Sequence, residues 1–381
     1  MRAGTHDVCG HSWGAQYGHR RLALLSLGAQ GSRAANEWGA YVLVVGEVDT
    51  GLLRGRDPSS SDDGRRLVEL VAGERVLVAT RPRSYVRSPE RPVGVDCALA
   101  AGHARGIGTA LQRAAITDNE VVQGSAYAMI VPSGHTARRA WSHYLARPGH
   151  IEAIGRPRWD ALARELAHPE RVPAVLDLGA VAQRATTEVQ SAARGGPDDS
   201  FRAARSRLRW VARVGDDETP LSGVHFEVHD RRLRLLTFTV GRPGRGNLGG
   251  VDGENAARPD AEDAHRPHAG GEGRLDAGRI AAACEDVALH DWLLSTLIES
   301  VRKSAIGRLP RGDTLRRLGP AIDRLLHLWM PAARADELTE TMWAVLERRP
   351  GFSRQWTTLA TRVRDQFAVM LAESLSAANR P

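Results

Sequence analysis

The chain has 381 residues, 42% of them hydrophobic, which is enough for two domains with real cores, and no run of 18 apolar residues that would span a membrane. Its formal net charge of +7 comes from 52 basic residues of which a single one, Lys303, is lysine, a bias that makes the charge weak evidence for an acidic partner. Lysine scarcity excludes chemistry: Lys303 follows Arg302 in a helical pattern, so it suits neither a phosphate-binding P-loop, nor a kinase strand lysine, nor a Schiff base for pyridoxal phosphate. Three scattered cysteines, Cys9, Cys97 and Cys284, point to a reducing, cytoplasmic setting and give no cysteine-based metal site; no cofactor is expected.

Residues 1–38 carry no sustained period and read as a poorly ordered extension. Arg20-Arg21 with the short apolar run after it resembles an export signal only faintly, because that run is at the lower length limit. Gly10-His-Ser-Trp-Gly14 matches the nucleophile elbow of hydrolases, but no sheet has been built before it. Tyr41 to Val48 is a β-branched run of strand length, followed by a loop at Pro58 to Gly64 and a short helix capped by Asp63 and running to Val71. Strands are expected at Arg75–Thr80 and Val93–Leu99. Gly106-Ile-Gly108 resembles a dinucleotide loop at two positions only, since Leu111 stands at the third.

Ile107–Ile116 and Val121–Val131 flank Thr117-Asp-Asn-Glu120, good turn chemistry for a hairpin, and Gly124-Ser125 suggests a bulge or a close backbone approach. Helices are expected over Asp160–Ala167 and Leu178–Ala193. A strand meander follows: Arg205–Val214, Gly223–Val228 and Arg231–Val240. The first strand alternates sharply, with Arg205, Arg207, Arg209 and Arg213 on one face and Leu208, Trp210, Ala212 and Val214 on the other. His225 and His229 lie roughly 13 Å apart along their strand, too far to share a metal ion. Gly241 to Arg274, with nine glycines and no Phe, Trp or Tyr, reads as a flexible linker. Its His265 and His268 are not expected to form a structural metal site.

From Asp276 the period becomes 3.6, with helices over Asp276–Lys303, Asp313–Trp329 broken at Gly319-Pro320, Asp336–Arg348 and Ser353–Ala377. Asp276, Asp313, Asp336 and Ser353 are the candidate N-caps. Trp292, Trp329, Trp343 and Trp356 place one indole on each helix, a pattern of bundle packing rather than a cofactor site. The fold class is therefore α+β: an extension (1–38), a β-rich region (39–240, with a possible subdivision near 156–200), a linker (241–275) and an all-helical bundle (276–381).

Two clusters could carry function. Ser142, His143, His150 and Glu152 supply a nucleophile, a base and an orienting carboxylate for a hydrolase, although Trp141, Tyr144 and Leu145 could equally pin a structural connection. Arg205, Arg207, Arg209 and Arg213 could grip nucleic-acid phosphates, but Trp210 points to the other face and a lysine-poor arginine face is usually just solvated. The stretches Val121-Val-Gln-Gly-Ser-Ala-Tyr127, Trp141-Ser-His-Tyr-Leu-Ala-Arg-Pro-Gly149, Leu289-His-Asp-Trp-Leu-Leu294, Leu326-His-Leu-Trp-Met-Pro331 and Arg349-Pro-Gly-Phe-Ser-Arg-Gln-Trp356 resemble an uncharacterised family of actinobacterial proteins whose genes often lie beside that of a variant P-loop protein. The resemblance covers Tyr41 to the C-terminus and implies that the chain acts in a set, as an accessory to a P-loop NTPase-like partner; the leading expectation is a non-enzymatic component of a multiprotein system. It brings no site residues.

Overall fold

A computed structural model describes residues 42–53, 77–81, 83–99, 104–155, 157–168, 176–192, 201–215, 220–241, 276–306, 308–331 and 336–378, all within one compact unit spanning 40–381. The expected extension, the helix capped by Asp63, the Gly10–Gly14 motif, the arginine pair at 20–21 and the residues 242–275 lie outside the described residues. The protein is α+β: a ten-stranded mixed sheet with helices on both faces.

The strands are β1 (Val42–Leu52), β2 (Leu77–Arg81), β3 (Arg83–Arg87), β4 (Arg91–Leu99), β5 (Ala104–Thr117), β6 (Val121–Pro132), β7 (His150–Ile154), β8 (Ser206–Gly215), β9 (Leu221–Val228) and β10 (Leu233–Gly241). Their spatial order is β2-β3-β5-β7-β6-β1-β8-β10-β9, with β4 also paired to β5. Every residue of β1 is buried, Glu47 and Asp49 included, as befits a central strand covered on both faces. The β5–β6 hairpin turns at Asp118 (φ 49°) and Asn119 (φ 55°), the left-handed pair that matches strand twist. Beyond the Leu111–Tyr127 pair the hairpin splays, and β7 fills the gap, antiparallel to β5 and parallel to β6. Gly106 and Gly108 therefore sit inside a strand and form no dinucleotide loop.

In place of a simple meander, β10 lies between β8 and β9 and runs parallel to β8. Burial explains the order. β10 is covered along most of its length, whereas β9 alternates between covered and open positions, so the more apolar strand takes the interior place and β9 the edge. The connecting turn is held by Asp230, whose carboxylate accepts from the amides of Arg232 and Leu233.

The first helices are α1 (Trp141–Leu145), α2 (Trp159–Ala167) and α3 (Leu178–Ala192). Helices α2 and α3 cover one face of the sheet through Leu43, Val45, Ile130, Ile151 and Val211. Gly124 is the close approach foreseen in the sequence: a Cβ there would collide with the Ala182 carbonyl of α3. The opposite face carries Val44, Val48, Tyr127, Leu208, Trp210 and Leu236, and packs on α4 (Ala277–Ser304), α5 (Arg311–Leu325), α6 (Glu337–Arg348) and α7 (Phe352–Ala378). Sheet and C-terminal helices thus share one core. Asp276 and Asp336 cap α4 and α6 as expected, each accepting an amide hydrogen two or three residues on. Asp313 and Ser353 lie instead within first turns, because α5 begins at Arg311 after Pro310 and α7 at Phe352. Helix α5 also runs through Pro320 without the expected break.

The tryptophans anchor the helical layer with their N–H groups as well as their rings. Trp292 donates to the Ala204 carbonyl (2.8 Å) and Trp343 to Asp286 (2.6 Å), while Trp329 stacks on Trp356 at 4.3 Å. Trp329 itself follows a 3₁₀ turn (Leu326–Leu328) rather than sitting on a helix. His290 is fully buried between the edges of Trp329 and Trp343; its Nδ1–H donates to the Asp286 carbonyl and its Nε2 accepts from the Met330 amide. His327 sits near the surface on Asp118 of the hairpin turn at 2.9 Å.

Candidate functional site

Three sets of ionisable side chains stand out. The first clamps α4 to the sheet. Arg113 on β5 donates from Nε to Glu285 and from Nη1 to Glu90, both at 2.6 Å, and Tyr127 donates its hydroxyl to Glu90. Burial alone would lower the Arg113 pKa, but the Glu285 carboxylate beside it holds it well above the ordinary value. At the far end of the same cross-strand row, which runs Arg113, Ser125, Val48, Leu208, Arg234, the last arginine binds Asp291 at 3.0 Å and Ser295 at 3.0 Å. Burial raises the pKa of Asp291, partly offset by Arg234. One helix is therefore pinned at two points by buried ion pairs.

The second set is the arginine face of β8. The predicted alternation holds, with Leu208, Trp210, Ala212 and Val214 in the core against the helical layer. The arginines turn toward the α2–α3 side, where they meet carboxylates from other elements. Arg209 and Arg207 share Glu47 at 2.9 and 3.4 Å, Arg205 reaches Asp49 at 3.4 Å, and Arg213 binds Asp160 at 3.0 Å. Burial raises the pKa of both Glu47 and Asp49 against the opposing pull of their arginines. Each proposed phosphate-binding arginine thus already holds one of the chain's own anions. The signal was present in β1, whose Glu47 and Asp49 alternate within an apolar run and require partners once buried.

The third set is the Ser142–Glu152 region. It folds into α1 and β7, two short elements that the residue pattern does not predict. Five residues are too few for a clear strand period, although Ile151 and Ala153 enter the core while Glu152 turns away from it. Tyr144 is buried and accepts from the Arg139 amide, and Trp141 lies against Gly94 of β4 under the Arg138 guanidinium. His143 Nε2 is 2.8 Å from Glu152 Oε1, so these two candidates do converge. Ser142 and His150 do not join them: Ser142 is exposed on α1, and His150 Nδ1 bonds the Pro148 carbonyl at 3.2 Å. The hydroxyl present is that of Ser133, which donates to Glu152 Oε2 at 3.1 Å. His135 also belongs here, its ring 6.0 Å from that of His143 and its Nδ1 accepting from Arg139. Neither is singled out by the sequence, because both precede the cluster from Ser142 to Glu152 and join it only when the end of β6 packs beside β7. Burial would raise the pKa of Glu152, but hydrogen bonds from His143 and Ser133 outweigh it and hold the carboxyl below its ordinary value.

The arrangement gives a carboxylate-oriented imidazole without a nucleophile bonded to it. Ser133 points to the glutamate, not to the histidine, so this is no Ser–His–acid relay. Among the described residues no group of three or more His, Cys, Asp or Glu could hold a metal ion, and no helix is long and apolar enough to cross a membrane. An open groove of about 730 Å³ runs along the outer side of α3, lined by polar side chains including Arg91, Arg184 and Glu188. No protein-family profile, no curated protein and no solved structure matches this chain significantly.

Proposed function

We propose that this chain is a non-enzymatic accessory of a multiprotein assembly, working in the cytoplasm beside a separate P-loop NTPase-like protein. One observation carries the reading: the arginine–carboxylate chemistry that first suggests a site is engaged within the chain, with Arg113, Arg205, Arg207, Arg209, Arg213 and Arg234 each paired to one of the chain's own acids. Groups so engaged favour a rigid body that presents surfaces over one that turns over substrate. Co-expression with a P-loop NTPase-like protein of the same organism is expected to yield a stable complex by gel filtration. A monomer that elutes alone at micromolar concentrations of both proteins sinks the proposal.

A second reading is favoured by the 2.8 Å contact between His143 and Glu152: a hydrolase in which His143 activates water. A panel of ester and phosphoester substrates tests it. Turnover abolished by His143→Gln supports it, and turnover unaffected by that change, or none at all, ends it.

A further inference from the structure

We propose that His135, His143 and Arg147, beside Glu152, form a receptor for a phosphate monoester group, and that binding draws a proton onto His143. This goes beyond both readings above and needs neither, since no bond breaks.

The local charge favours an anion. Residues 133–150 contain three arginines and three histidines and no Asp or Glu. Glu152, the carboxylate they meet, is engaged at both oxygens, by His143 and by Ser133. Proton positions follow from the partners. An ionised carboxylate only accepts, so His143 Nε2 carries the hydrogen, and in the neutral ring its Nδ1, which has no partner among the described residues, offers a lone pair. A guanidinium only donates, so Arg139 fixes the lone pair of His135 on Nδ1 and leaves its Nε2–H free. Two rings 6.0 Å apart therefore present opposite faces of imidazole chemistry, one donor and one acceptor.

A phosphate monoester brings close to two negative charges and several acceptor oxygens. It accepts from the His135 N–H but meets a repelling lone pair at His143. Taking up a proton there turns His143 into an imidazolium donating from both nitrogens, to Glu152 on one side and to the ligand on the other. Arg147 is 66% exposed and reaches Glu152 only at 3.9 Å, so its guanidinium is loosely held and, on a long side chain, is free to turn to a bound anion. The charged and titratable groups facing His143 are Glu152 from β7, His135, Arg139 and Arg147 from the flanking loops, and Tyr144 from α1, whose hydroxyl already accepts from the Arg139 amide. None of them competes for Nδ1. A diester, with a single charge, gains less from this arrangement.

Calorimetric titration of the full chain with AMP and with O-phosphoserine, two sources of the same group, tests the proposal. Sulfate, a dianion throughout, isolates the protein's own proton. Saturable binding of at least one monoester is expected, with sulfate binding about tenfold tighter near pH 6.5 than near pH 8. His143→Gln is expected to remove that pH dependence, and His135→Gln and Arg147→Gln to weaken binding severalfold, with circular dichroism unchanged. No saturable binding at millimolar ligand, pH-independent binding, an affinity untouched in the His143→Gln protein, or tighter binding of a phosphodiester would each overturn it.

Discussion

The two faces of the sheet use the same chemistry in different solvents. On the helical-layer side, Arg113–Glu285 and Arg234–Asp291 are sealed, with every side chain at most 7% exposed. On the α2–α3 side, Glu47 and Asp49 are equally deep, but their arginines reach outward and remain 21–41% exposed. At a sealed pair no water is at hand to solvate the charge left behind if one member is lost, whereas water can replace a guanidinium at a half-open one. The first face should be intolerant of single changes and the second forgiving.

The largest effect is expected at Arg113. Arg113→Leu removes the guanidinium that Glu285 and Glu90 accept from and should cost about 3–5 kcal/mol in denaturant unfolding, while Arg113→Leu with Glu285→Leu should recover most of the loss. If the double variant is as unstable as the single one, the pair is not what clamps α4. Next comes Gly46→Ala: its Cβ would press into the Trp210 ring and within 2.9 Å of the Ala126 carbonyl, an overpacking of about 1–3 kcal/mol. Arg209→Gln on the open face should cost only about 1 kcal/mol, because Arg207 and water remain to Glu47. A loss equal to that of Arg113→Leu would erase the contrast.

The pH dependence separates the faces from the site. Glu47 and Asp49 have raised pKa values, so over the window from their ordinary values of 4.5 and 3.8 up to the folded ones the native state binds more protons than the unfolded chain. Their contribution to stability therefore falls as pH rises through that window. Glu47→Gln with Asp49→Asn should flatten the fall in unfolding measured against pH; an unchanged slope counts against the assignment. Glu152 behaves oppositely. Its pKa is lowered, so its contribution is present above 4.5 and is lost as pH falls through the folded value. Glu152→Gln should remove that smaller acid-side loss, by less than about 1 kcal/mol given the partly open site.

Much of the architecture is legible in the pattern of residues, and the failures have physical causes. The β5–β6 hairpin is written in Asp118-Asn119, and the two faces of β8 in its strict alternation, because both are local consequences of backbone geometry. β7 is not legible. It is five residues long, and its place is created by the splaying of two other strands. The order of β8, β10 and β9 depends on which strand buries more, a comparison between distant segments. At the site, His143 and Glu152 are recognisable by type, but the choice of Ser133 over Ser142 is set by which hydroxyl the end of β6 brings to β7.

By itself the sequence determined the helical and strand periods and the inward tryptophans of the helical layer, since each follows from residue type and spacing along the chain. Only the tertiary structure decided what the arginines do. Arg205, Arg207 and Arg209 look like a phosphate-binding face until β1 places Glu47 and Asp49 beside them. An ion pair depends on where the partner's strand lies in the sheet, and a pattern read along one strand does not contain its neighbour.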